Sequence, residues 1–367
     1  MNDIRVCVTG VGGGALGEQI VKALRLASTP YHIVGTDTNP YSSGFALVDT
    51  TAILPRATAP EYLQGLLALC HEHSIQTLFP GSEIELKVMS EHRETISANG
   101  ILLPINPASL IDVCMDKLAT FDMLHKYGFQ APWFRRIGSL EDASSFPIFP
   151  IVFKPSKGSG GSADTVIVQN EAEAQLFARF LLESYPEFIA QEYVGTPEDE
   201  YTVGILNDLN GRFINSIAVH RSLDSALSRR IRVPNKTDRH ELGPFLVISS
   251  GISQGTIGSF PEITKPSEEL AKILQPHGAI NIQCRFVNGK ICVFEINPRF
   301  SGTTSLRAMA GFNEPDVLIR RHILKQSVEP RFAYRTGVVT RGLQEHFTDT
   351  GDEAPCPGAH ASSRRIL

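Results

Sequence analysis

The sequence predicts an α/β protein in which a parallel sheet flanked by helices comes first and a strand-rich region follows. Three stretches predict it. Strand-like and helix-like runs alternate over residues 4–115; IFPIVFKPSKGSGGSADTVIV reads as strand, Gly/Ser loop and strand; and AINIQCRFVNGKICVFEINPRF reads as a hairpin with one polar face. A strand followed by a helix and another strand builds a parallel sheet covered on its faces, because only a crossover can bring the second strand alongside the first.

The first region opens with IRVCVTG, then ALGEQIVKALRLA, HIVGTD, PEYLQGLLALCHEH and QTLFPG. Gly12, Gly14 and Gly17 satisfy GxGxxG between the first strand and helix, and Asp37 ends the second strand about 20 residues on. That spacing suits a dinucleotide site, but any tight strand-to-helix turn in such a sheet also favours glycine. Pro80-Gly81-Ser82-Glu83 closes the third strand, where ligands gather in open sheets, so Glu83 is either a site residue or the start of a helix.

From Met115 a helix is expected over MDKLATFDMLHKYG, with an extended segment after Gly128. Lys154 then ends an apolar strand, and Lys157 to Ser162 follow as a Gly/Ser loop whose amides could converge on an anion. FIAQEYVGTPEDEYTVGILN and RFINSIAVHRS read as strands, SRRIRVPNKTDRHE as a basic segment, and PDVLIRRHILK as the last clear helix. The tail from 331, ending in GDEAPCPGAHASSRRIL, is expected to be partly disordered.

The hairpin carries the most chemistry. Side chains alternate across a strand, so Glu295, Asn297 and Arg299 share a face, as do Asn281, Gln283 and Arg285, while Phe294 is expected on the opposite, apolar face. A buried carboxylate needs a partner or a metal. Asn288-Gly289 marks the turn. A two-residue turn in regular pairing would set Gln283 opposite Phe294, so a three-residue loop of odd count is expected, pairing Gln283 with Val293 and Asn281 with Glu295. Either way, Gln283, Glu295 and Asn297 offer hard oxygen ligands of the kind that suit Mg²⁺, with Mn²⁺ as an alternative.

Composition narrows the rest. The chain has 367 residues, 42% of them hydrophobic, enough for two or three domains, and its net charge of -5 supplies no basic field for nucleic acid. No apolar run approaches the roughly 20 residues that span a bilayer. MNDIRVCVTG enters a strand directly without a secretory pattern, which makes the cytoplasm the expectation. Six scattered cysteines without CxxC pairs read as reduced thiols rather than a zinc site or disulfide framework.

In order, these pieces resemble the ATP-grasp superfamily, in the branch typified by the carbamoyl-phosphate synthetase large subunit, over roughly residues 1–325. FEINPRFSGTT with Gln283 upstream is the most specific motif; KPSKGSGG and QEYVG with DEYTVGIL add the glycine-rich lid and the adenine linker. The resemblance implies a Rossmann-like pre-ATP-grasp domain over 1–114. A two-lobed α+β ATP-grasp fold would follow, with the small lobe over 115–192, the large lobe with its metal site over 193–330, and a C-terminal extension over 331–367.

It also implies that Lys117 and Lys154 bind phosphates under the amides of Gly160 and Gly161, that Glu192, Tyr193 and Val194 meet adenine, and that Glu200 meets ribose. Gln283, Glu295 and Asn297 would hold the metals and Arg299 would stabilise the transferring phosphoryl group. The implied activity is an ADP-forming ligase that joins a small carboxylate to an amine through an acylphosphate. A kinase-like release of carboxyphosphate or carbamoyl phosphate, or a non-catalytic nucleotide sensor, are the alternatives, and a homodimer is left open. Arg285, Arg229, Arg230 and Arg232 are either anchors for an anionic substrate or an exposed basic surface, and His220 either touches substrate or is structural.

Overall fold

The computed structural model describes residues 3–14, 16–157 and 163–346. The first region forms the sheet that its rhythm predicts: β1 (Ile4–Val8), α1 (Leu16–Arg25), β2 (Tyr31–Asp37), β3 (Thr50–Ile53), α2 (Tyr62–Glu72), β4 (Thr77–Phe79), α3 (Glu83–Glu91), α4 (Arg93–Ala98) and α5 (Ala108–Met115). Its four strands lie in the order β3-β2-β1-β4, all parallel. The glycines have steric reasons. A Cβ on Gly17 would stand 2.3 Å from the Thr9 carbonyl oxygen and one on Gly81 only 1.8 Å from the same atom. Close approach of helix to strand demands glycine there.

Two antiparallel sheets follow. The smaller comprises β5 (Phe134–Ile137), β6 (Ile151–Pro155), β7 (Val166–Val168) and β8 (Phe188–Glu192) in the order β5-β8-β6-β7, with α7 (Glu171–Ser184) packed on it. The larger takes β9 (Glu200–Asn207), β10 (Phe213–Arg221), β13 (Gly255–Gly258), β14 (Ala279–Val287), β15 (Lys290–Asn297) and β16 (Gly337–Val339) in the order β15-β14-β9-β10-β13-β16. Between them β11 (Arg229–Pro234) and β12 (Phe245–Ser249) form a separate two-stranded ribbon.

The helix α6 (Lys117–Lys126) is capped by Asp116, whose carboxylate accepts from the amides of Leu118 and Ala119. It turns Leu118, Phe121 and Leu124 into the core beneath the six-stranded sheet, which it shares with α8 (Pro261–Leu274). The segment 115–130 therefore packs on the large lobe, and only the chain from β5 onward forms the smaller sheet.

A second core joins the N-terminal sheet to the large one through α1, α9 (Thr304–Met309) and α10 (Glu314–His322). Polar ties cross the same seam: Tyr31 donates to Asp316, Ser305 to Gln19, and Asn313 to the Ala23 carbonyl. In the C-terminal extension residues 331–346 are described, and β16 closes the sheet edge against β13; the tail expected to be disordered lies outside the described residues. Residues 347–367, including Cys356, lie outside the described residues; the other five cysteines are buried and free. Among the described residues no helix is long and apolar enough to cross a membrane.

Candidate functional site

The hairpin reaches its polar face by a different route from the one expected. Asn288 and Gly289 both have positive φ, 52° and 75°, and form a two-residue turn that pairs Val287 with Lys290. The even turn is corrected inside the strand. A bulge at Phe294 shifts the register between Cys284 and Gln283, so that Gln283 stands opposite Glu295 and Asn281 opposite Asn297, not Val293 and Glu295. The odd residue is present, but in the strand instead of the loop. Phe294 is displaced with it: it lines a cavity on the polar side while Val293 and Ile296 stay in the core.

Four adjacent strands share that face. β15 brings Glu295 and Asn297, β14 brings Asn281, Gln283 and Arg285, β9 brings Glu200 and Thr202, and β10 ends on Arg221. Glu200 is buried between two guanidiniums, its Oε1 3.0 Å from Arg221 Nη1 and its Oε2 3.1 Å from Arg285 Nη2. Such a carboxylate is tolerable because each oxygen accepts a charge-assisted hydrogen bond.

Two cavities open on this floor. The first, of about 720 Å³, lies between the small and large sheets; Pro132, Val152, Ile248 and Phe294 give it an apolar wall, and Lys117, Lys154 and the run Glu192 to Val194 also line it. Lys154 projects from β6 and donates to the Phe294 carbonyl at 3.3 Å. Burial, with Lys117 nearby, pushes its ammonium down to about 7, and Glu295 draws it partly back. Glu192 is held by Arg239 at 3.0 Å. Gly160 and Gly161 of the expected lid lie outside the described residues.

The second cavity, of about 510 Å³, adjoins the first, and Ser249, Gln283 and Glu295 line both. Arg299 stands in it. Its Nη2 donates to Asn297 Oδ1 at 3.1 Å and to Glu83 Oε1 at 2.6 Å, so the N-terminal domain reaches the guanidinium through Glu83. Burial would raise the Glu83 carboxyl, but Arg299 and then Lys117 hold it below the usual carboxylate range.

Several expected residues fall elsewhere. Arg285 is no free anion anchor, because its five N–H groups go to Glu200 and to the carbonyls of Val194, Gly195 and Val247, over the Tyr193 ring. Arg230 and Arg232 point outward from β11, the latter against the Phe245 ring, and line neither cavity. His220 stacks on Tyr201 on the opposite side of the sheet. Its neighbour Arg221 is the site residue, and alternation along β10 separates the two. Asp37 accepts from the Gly12 and Asn39 amides and the Ser42 hydroxyl, so it ties down its own turn and is not open to a ribose.

The metal expectation fits the donors. Gln283, Glu295 and Asn297 supply hard oxygens with a single formal charge, and Asn297 Nδ2 donates to Glu295 Oε1 at 3.0 Å, fixing the amide beside the carboxylate. Among the described residues there is no cluster of three His, Cys, Asp or Glu that could hold an ion alone. This set suits Mg²⁺ that also takes phosphate oxygens.

Comparisons with known proteins find similarity at both ends of the chain. Residues 8–104 match the family model "PylC-like, N-terminal domain", and residues 249–344, which hold the hairpin and Arg299, match "ATP-grasp in the biosynthetic pathway with Ter operon". Over its C-terminal match the chain is similar to the ATP-grasp superfamily. It is 27% identical over 214 residues to the carbamoyl phosphate synthase arginine-specific large chain of Bacillus subtilis (strain 168), covering 57% of this chain and 19% of that protein's length.

Solved ATP-grasp-like structures share the fold at low identity. N5-carboxyaminoimidazole synthetase from Staphylococcus aureus complexed with ADP has TM-score 0.61 at 14% identity, covering 92% of this chain and 81% of that one. L-amino acid ligase from Bacillus licheniformis has TM-score 0.60 at 15% identity, covering 88% and 74%. D-alanine–D-alanine ligase from Bacillus anthracis complexed with ATP has TM-score 0.54 at 16% identity, covering 89% and 98%.

Proposed function

We propose that the protein is an ATP-dependent, Mg²⁺-requiring carboxylate–amine ligase that forms ADP through an acylphosphate. The observation that carries this reading is the junction: Gln283 and Glu295 line both the cavity with an apolar wall and the polar cavity beside it. A planar base needs the first kind of surface, a charged small acid the second, and phosphoryl transfer happens where they meet. The ATP, ADP and amino-acid chemistry in the names of the structural relatives supports the same reading.

In this reading adenine lies against Val152, Ile248 and Phe294 with its edge at Glu192 to Val194, and Glu200 takes the ribose. Lys117 and Lys154 neutralise phosphate oxygens. Gln283, Glu295 and Asn297 would hold Mg²⁺, which when bound neutralises charge on the phosphates; Mn²⁺ would suit the same oxygens. A carboxylate oxygen of the acid attacks the γ-phosphorus, the bond to the β-phosphate oxygen breaks, and ADP leaves with that electron pair. Arg299 lies where negative charge spreads over the transferring group, and it acts by position and charge rather than by bond formation. The amine nitrogen then attacks the acyl carbon, phosphate departs, and the nitrogen loses a proton.

The test is ADP release from Mg-ATP with pools of small acids, with and without amines. Release that needs both an acid and an amine establishes the ligase. Release with an acid alone points to a kinase-like reaction. Tight nucleotide binding with no release from any pool points to a sensor and overturns the proposal.

A further inference from the structure

The second cavity has a lining unlike that of the first. None of the residues around it is aliphatic or aromatic: Thr202, Ser253, Ser301 and Thr303 contribute hydroxyls, Asn281 an amide, and Arg221 and Arg299 two guanidiniums against the one carboxylate of Glu295. Asn281 is aimed. Its Oδ1 accepts from Thr202 at 2.7 Å and from the fully buried Arg307 at 2.6 Å, so its amide hydrogens are left for other partners.

Arg221 is held as firmly. Its Nη1 meets Glu200 at 3.0 Å, Ser249 at 2.9 Å and Gln283 at 3.4 Å, and its Nη2 donates to the Ser250 carbonyl at 2.8 Å. Nη2 carries two hydrogens, and only this one bond is made from it among the described residues. A guanidinium that is 4% exposed, fixed on one side by protein and facing a polar cavity on the other, is built to receive an anion.

We propose that the acid activated here is a small hydrophilic carboxylate, bearing hydroxyl, amino or amide groups, and that Arg221 is a specificity-determining residue that binds it. The inference rests on the ligase reading and narrows it. An alkyl or aryl chain in this cavity would cover hydroxyls and amides without replacing their hydrogen bonds, whereas a hydroxylated or amino acid would pair with them.

The test supplies Mg-ATP and hydroxylamine, which captures an acylphosphate as hydroxamate and releases phosphate, so the natural amine is not needed. One set of acids holds glycerate, lactate, serine and asparagine; the other holds butyrate, isovalerate, hexanoate and phenylacetate. The expected result is hydroxamate and ADP from members of the first set with kcat/KM at least about 100-fold above any member of the second. Equal or better turnover of the second set overturns the proposal and leaves the ligase reading standing. No hydroxamate from any acid, with MgADP still bound, overturns both.

Arg221→Lys gives an independent arm. The KM for the best acid should rise about tenfold or more, and by a larger factor than the Kd for MgADP, which is reached only indirectly through Glu200 and Gln283. An unchanged KM removes Arg221 from the acid site. Should this variant fail to fold, Ser253→Val takes its place, with the expectation that it narrows the preference for hydrophilic acids; an unaltered preference counts against the proposal.

Discussion

Two hairpins in this protein alternate polar and apolar residues and carry arginine on the polar side, and they use it differently. In β14–β15 the polar side chains are covered from above by the small lobe, and Arg285 is 5% exposed with every donor engaged. In β11–β12 it is the apolar side that is covered, Ile231 and Val233 packing toward Val152 and Tyr193, while Arg230 and Arg232 face water. The same alternation therefore marks a site in one ribbon and a solvated edge in the other. What decides is which face meets the rest of the molecule, and a strand's own sequence does not state that.

The comparison can be broken at either hairpin. The largest effect is expected from Arg285→Met: breaking the buried pair and freeing three carbonyls should cost at least about 3 kcal/mol, read as a lowered urea midpoint. A loss below about 1 kcal/mol would mean that Arg285 is not part of the floor's framework.

Next comes Lys154. Its pKa falls from the ordinary lysine value of 10.5 to about 7, so above pH 7 the free site is largely neutral there. Phosphate should draw a proton back. MgADP binding at pH 8 is expected to take up close to one proton, and affinity should fall as pH rises past about 7. Calorimetry in buffers of different ionisation enthalpy reads the uptake, and Lys154→Met should abolish it. The same shift predicts stability that rises with pH between about 7 and 10.5, where the unfolded chain binds the proton and the folded chain does not.

Glu83→Gln is expected to act more weakly, because it removes a charge partner of Arg299 and leaves Asn297 and the Phe300 carbonyl in place. About a tenfold loss in kcat with little change in nucleotide affinity would mark Glu83 as a positioning residue; an equal loss in both would not. The smallest effects belong to the outer ribbon. Arg230→Ala and Arg232→Ala should leave turnover unchanged and stability within about 0.5 kcal/mol.

Much of this was legible in the chain. The βαβ rhythm, a turn at Asn288-Gly289, Lys154 near a strand end and a polar hairpin face are local patterns that the structure contains, although the turn has two residues instead of three and the pairing is shifted by the bulge. Other features depend on distance. Glu83 and Arg299 are 216 residues apart, and nothing in either neighbourhood names the other. Alternation along β10 gave the period but not the phase, which is how His220 drew attention that belonged to Arg221. The bulge at Phe294 was required by the polar face, yet both turn and strand could supply the extra residue, and only pairing with β14 decides between them.

Glu295, at the junction of the two cavities, is the proposed metal ligand on which the nucleotide site depends. The direct measurement is MgADP affinity, with and without Mg²⁺, for the native protein and Glu295→Ala, alongside thermal unfolding of both. Expected are melting temperatures within about 2 °C, since Glu295 packs in no core, and loss of the Mg²⁺-dependent part of the affinity by about tenfold or more. A variant that binds MgADP with the same Mg²⁺ dependence as the native protein would contradict the assignment.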